Sequence, residues 1–259
     1  MNHPFGNWKE SFLFAFLIIL VMWLVQWAQF LFDYPFYQLG VKPRSVDGIA
    51  GIVLMPFIHA KSDFGHIINN SVPTFFMVSA IFYYYRQIAF KILLISWFSI
   101  GVLLWLLVID RNAFHIGMSG MVYAMASFLF TSGTLRKYLP LQAISLFLVF
   151  VYGSMIWGIF PTKEHISWEG HLIGFMVGII LAYVYRNQGP VPYKYQYEIE
   201  RDLGIEPPDF EGEWNRRLEE LEAMKKAQAE QEMELKPKTQ IVFHYVPKKG
   251  SGPQDGNDT

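Results

Sequence analysis

Long apolar runs broken by short polar segments dominate the first 186 residues, and a polar, charged segment follows them. Six stretches are apolar enough to be read as helices crossing a membrane: Phe12–Phe32, roughly His66–Tyr85, Ile88–Ile109, Gly117–Thr131, Leu139–Phe160 and Gly170–Tyr185. The fourth and sixth fall short of the ~20 residues that a bilayer core requires. Both begin at a polar residue flanked by glycine. A helix that starts below the membrane surface leaves its first N–H groups facing protein or a water-filled cavity, because lipid cannot satisfy them. Two short helices therefore predict a wet pocket.

Basic residues near the helix ends set the expected orientation. Lys9, Arg86, Lys91, Arg136, Lys137, Arg186 and Lys194 flank one side; Lys42, Arg44, Lys61, Arg111 and Lys163 flank the other. The first group sits in the short loops that carry most weight, which predicts cytoplasmic termini and a multi-pass protein of the cell (inner) membrane. The first run is about twice the length of a signal-peptide core and has no small-x-small cleavage site, so a retained spanning helix is expected. With that topology the second, fourth and sixth spans all run inward from outside. His66, Ser119 and His171 then lie at one external depth.

Composition bounds the chemistry. The chain has 259 residues, 53% of them hydrophobic, with no cysteine and a formal net charge of -1. Thiol catalysis, disulfides and thiolate metal sites are excluded by the cysteine count. The charge balance offers no basic face for nucleic acid. The expected organisation is a six-helix membrane domain over residues 1–186 and a cytoplasmic tail over 187–259. In the tail, Glu and Lys at helical spacing predict a charged helix at about 210–235, and the Pro- and Gly-rich end predicts disorder.

Three polar groups mark the external helix starts. In Gly117-Met118-Ser119-Gly120 the glycines let a substrate approach the serine backbone, and the serine N–H is an unpaired first-turn donor. In Gly170-His171-Leu172-Ile173-Gly174, followed by Gly178, an imidazole tops a glycine face at helical spacing. Histidine has the pKa suited to activating a serine, and Tyr123 lies one turn below Ser119 to pack on the ring. His66 and Asn70, four residues apart, share a helix face and offer donors to an oxyanion. Taken singly, the serine group is more readily explained as helix packing and the His66–Asn70 pair as a polar contact between helices, while His171 has the plain alternative of a structural histidine bonded to a backbone carbonyl.

The order HxxxN, GxSG with a tyrosine four residues after the serine, and GHxxGxxxG resembles the rhomboid family of intramembrane proteases. The resemblance covers the six-helix core and implies an all-α, rhomboid-like bundle. It implies a dyad of Ser119 and His171, an oxyanion pocket of His66, Asn70 and the Ser119 N–H, stacking by Tyr123, and close helix approach at Gly174 and Gly178. No metal or cofactor is implied, and the substrate would be another transmembrane protein whose helix unwinds locally. The loop from Pro161 to Glu169 would be a moving cap. A Trp-Arg pair frequent in the first loop of bacterial members is missing here, and His59 is assigned no catalytic role. A rival of another class is a catalytically silent rhomboid-like protein that binds membrane proteins; a metalloprotease lacks the His-Glu-x-x-His ligands.

Overall fold

The computed structural model describes residues 6–32, 34–151, 157–161, 167–191, 194–205, 208–235 and 242–247. It divides into two units, Met1–Tyr193 and Lys194–Thr259. The first is helical. Its elements are α1 (Trp8–Leu31), a short α2 (Gly51–Leu54), α3 (Phe64–Tyr84), α4 (Ala89–Leu107), α5 (Ser119–Arg136), α6 (Leu139–Val151) and α7 (Trp168–Val184). Residues 152–156 of the expected fifth span and 162–166 of the expected cap lie outside the described residues.

α1 and α4 are each long and apolar enough to cross a membrane. Their outward faces carry large apolar side chains such as Leu13, Leu24, Phe90 and Leu106. The inward face of α1 is mostly small or polar (Ser11, Ala15, Gln26, Gln29) and finds partners inside: Gln29 Nε2 donates to Gln26 Oε1 at 2.9 Å, and Trp23 Nε1 donates to Ser71 Oγ at 3.1 Å. This apolar-out, polar-in arrangement suits hydrocarbon surroundings, where packing and internal hydrogen bonds hold helices together.

The first loop is folded, although its sequence has no helical period long enough to predict it. Turns of 3-10 helix at Phe36–Leu39, Val46–Gly48 and Met55–Phe57 accompany α2. Val41 and His115 form an antiparallel bridge, with reciprocal N–H donations of 3.0 and 2.9 Å, and Gly117 N donates to Met55 O at 2.8 Å. These bonds fasten the segment leading to Ser119 onto the first loop.

α5 is buried along most of its length and packs chiefly on α7. A Cβ on Gly174 would run into the carbonyl oxygen of Gly120, and one on Gly178 into those of Ala124 and the Ser127 hydroxyl. Ser127 Oγ bridges the seam to Phe175 O at 2.9 Å. Because the obstacle at Gly174 is backbone, Gly174→Ala should destabilise the fold by about 1–3 kcal/mol. A lowered thermal unfolding midpoint in detergent checks this.

α5 runs past the expected end at Thr131 to Arg136, because its polar last turn is satisfied. Tyr85 Oη and Ser132 Oγ are 2.5 Å apart, and Arg136 donates to the carbonyls of Tyr185 (3.0 Å), Pro190 (3.4 Å) and Gln188. The guanidinium thereby ties the end of α5 to the turn that follows α7.

The second unit holds α8 (Gln196–Asp202) and α9 (Phe210–Leu235). Lys194 Nζ and Asp202 Oδ2 pair at 2.7 Å, both exposed. α9 buries none of its residues. Residues 236–241 and 248–259, at the end expected to be disordered, lie outside the described residues.

Candidate active site

Ser119 opens α5 and His171 sits in the first turn of α7. The seam of glycines lets the two helices approach so closely that His171 Nε2 lies 2.7 Å from Ser119 Oγ. His171 Nδ1 is 2.8 Å from the carbonyl oxygen of Gly158. A carbonyl only accepts, so Nδ1 carries the proton and Nε2 presents its lone pair to the serine hydroxyl. The orienting group is thus a main-chain carbonyl, and Glu169 is not the partner of this imidazole. The Tyr123 ring stacks on it at 4.4 Å and 17°.

His66 and Asn70 lie on one face of α3. Asn70 Nδ2 donates to His66 O at 3.1 Å, which leaves its second amide hydrogen for another acceptor. Ala60 N–H donates to His66 Nδ1 at 3.4 Å, so the ring proton belongs on Nε2. That nitrogen faces Gly117: a Cβ on this glycine would stand 2.9 Å from His66 Nε2 and 3.7 Å from Asn70 Nδ2. Gly117 has φ +106, a conformation that side-chain-bearing residues rarely adopt. The turn before the serine therefore lies against two side-chain donors, and the first-turn N–H groups of α5 open beside them.

All four polar candidates come together: Ser119 with His171 directly, and His66 with Asn70 across Gly117. Tyr123 supports the imidazole, while Gly120, Gly174 and Gly178 are the close contacts of the seam. Such a set can activate a hydroxyl and hold a developing oxyanion. Among the described residues no group of three His, Cys, Asp or Glu could hold a metal ion.

Three participants carried no readable pattern in the sequence. Gly158 contributes only a carbonyl, and a Cβ there would strike the Tyr123 hydroxyl and stand 3.0 Å from His171 Nδ1. His115 Nδ1 lies 2.6 Å from Ser167 Oγ. Each partner of that pair precedes a member of the Ser119–His171 pair by four residues, so the two helix starts are joined twice. His171 N also donates to Ser167 O at 3.3 Å. Burial lowers the His115 pKa against the opposing pull of Glu169 and Asp110. His59 is fully buried, its ring 5.0 Å from that of His66, and burial pushes its pKa down to about 3, so it stays neutral. Ser167→Ala should cost about 1 kcal/mol through the lost hydrogen bond. Faster amide exchange in the first turn of α7 is the measurement.

An all-helical membrane protein with a serine–histidine pair between two of its helices is the class these features define. The rhomboid domain model matches residues 47–188, more than half of the chain, and the chain belongs to the rhomboid family. Among curated proteins it is similar to uncharacterized proteins of Mycobacterium tuberculosis and Mycobacterium bovis, each 28% identical over 153 residues, 56% of this chain and 62% of theirs. An uncharacterized protein of Mycobacterium leprae is 23% identical over 185 residues, 69% of this chain and 72% of its own. The chain thus spans 62% of the length of the first of these relatives.

Proposed function

We propose that this chain is an intramembrane serine endopeptidase that cleaves transmembrane protein substrates through an acyl-enzyme. The observation that carries the reading is the 2.7 Å approach of His171 Nε2 to Ser119 Oγ, with the tautomer fixed by Gly158 O. In this mechanism Ser119 Oγ attacks the substrate carbonyl carbon while its proton passes to His171 Nε2. The oxyanion takes hydrogen bonds from the Ser119 N–H, His66 Nε2 and Asn70 Nδ2. Collapse expels the amine, which takes the proton back from His171. Water, deprotonated by the same nitrogen, then attacks the acyl-enzyme and releases Ser119.

The reading includes six spans, formed by α1, α3, α4, α5, α7 and a fifth span that begins as α6. Residues 1–186 form the working domain in the inner membrane, and 187–259 a cytoplasmic tail. The substrate helix must unwind near the cut, since a hydrogen-bonded helix hides its carbonyls. The alternative, a silent binding protein, is disfavoured because such a protein has no need of an oriented serine–histidine pair. The two are separated by incubating the purified chain with a fluorophosphonate and a single-span substrate. Labelling that maps to Ser119 together with cleavage supports the protease. Absence of both in the intact chain overturns it.

A further inference from the structure

Between α1, α3, α4 and α5 lies a cavity of about 290 Å³ that the proposed chemistry does not use. Its walls run from Phe14 to Val21 on α1, from Phe90 to Trp97 on α4 and from Met118, just before α5, to Met125 on that helix. Each pair is seven residues apart, so at 1.5 Å per residue the cavity is a shaft about 10 Å long, parallel to the helices. The rings of Phe14, Phe82 and Phe90 pack together at one end, with centroids 4.4–5.3 Å apart. At the other end Phe57 meets Trp97, their rings 5.2 Å apart, close to Met118.

The chemistry of the lining narrows the occupant. Apart from methionine sulfurs its side chains offer one polar atom, Trp97 Nε1, which has no hydrogen-bond partner among the described residues. A water molecule needs two to four polar partners, so water has little to hold it here. An unwound peptide would leave its N–H and C=O groups unpaired. Hydrocarbon carries no such cost, and dry apolar cavities of about half this size bind apolar ligands. The shaft also has a side opening: Leu17 on α1 and Leu94 on α4 line it and are 43% and 46% exposed. α1 and α4 are the two helices most suited to crossing a bilayer, so the opening faces lipid.

We propose that the shaft is a lipid site that takes one acyl chain of a bilayer phospholipid, lying parallel to the helices and against Met118, the residue before Ser119. An acyl chain is linear, unbranched and lies along the membrane normal, as the shaft does. The site is independent of whether Ser119 is catalytic.

The test uses the full chain in phosphatidylcholine vesicles doped with phosphatidylcholine bearing a diazirine on its acyl chain, irradiated and mapped by peptide mass spectrometry. Met118, Met121 and Met125 are only 4%, 5% and 1% exposed. Adducts on residues 118–125 therefore report a chain inside the shaft, whereas adducts on Leu24 or Leu106 report surrounding lipid. Adducts on 118–125 are expected in the parent and should fall to background in Leu94→Trp, which plugs the opening, with those on Leu24 retained. Leu17→Trp, on the opposite lip, is the second variant should Leu94→Trp fail to fold. Adducts confined to the outer faces of α1 and α4 would overturn the proposal. So would adducts on 118–125 that persist in a folded plugged variant, or that a diazirine-bearing single-span peptide displaces and replaces.

Discussion

Ser119→Ala and His171→Ala are each expected to lower kcat/KM for a single-span substrate by at least ~10⁴, with the double variant no worse than either single one. Non-additivity follows from the geometry. In the proposed mechanism the hydroxyl is nucleophilic only while His171 Nε2, 2.7 Å away, takes its proton, and the imidazole has nothing to activate once that hydroxyl is gone. Removing either member leaves the oxyanion donors intact, so both variants fall to the same residual rate. The imidazolium that the proposed mechanism forms would have a carbonyl, that of Gly158, on its Nδ1 side and the Tyr123 ring on its face. An aromatic face attracts a cation by about 0.5–2 kcal/mol. Tyr123→Leu should therefore reduce kcat by roughly 2- to 30-fold on that energy, without abolishing labelling of Ser119. Cleavage assays on all four variants, with labelling measured beside them, give the comparison. Activity surviving in Ser119→Ala would end the proposed mechanism.

The family resemblance read from HxxxN, GxSG and GHxxGxxxG agrees with the match over residues 47–188. Helical spacing put Gly174 and Gly178 on the face of His171, and it is on that face that α5 approaches most closely. The reason such features are legible is that both depend on side-chain identity: a glycine is required where a carbonyl would meet a Cβ, and a histidine where an imidazole is used. Gly158 is the opposite case. It acts through a carbonyl that any residue possesses, so no residue type announces it. The pairing of His115 with Ser167 was hidden for another reason, since it depends on how two loops meet and not on a period within one helix. The first loop resisted reading because three- and four-residue helical turns are shorter than the pattern that reveals them. The end of α5 was misjudged at Thr131 because hydropathy stops there, whereas the helix continues as long as Tyr85 and Leu141 receive Ser132 and Gly133.

Gly117→Ala is expected to lower kcat by ~10²–10³ while KM changes little, the loss associated with removing an oxyanion donor. Two effects coincide at this residue. Its φ of +106 is strained for alanine, which costs about 1–3 kcal/mol of stability. The new methyl would also stand 2.9 Å from His66 Nε2 and 3.2 Å from Cε1, so the ring must swing away from the space where the oxyanion forms. Ser119 and His171 are not touched, and binding of the substrate helix does not depend on the oxyanion, which is why the loss should fall on kcat. His66→Ala separates the two effects: it removes the ring donor without straining residue 117, so its kcat should fall by a similar factor. A Gly117→Ala protein with unchanged kcat and only a lowered unfolding midpoint would remove His66 from the oxyanion pocket.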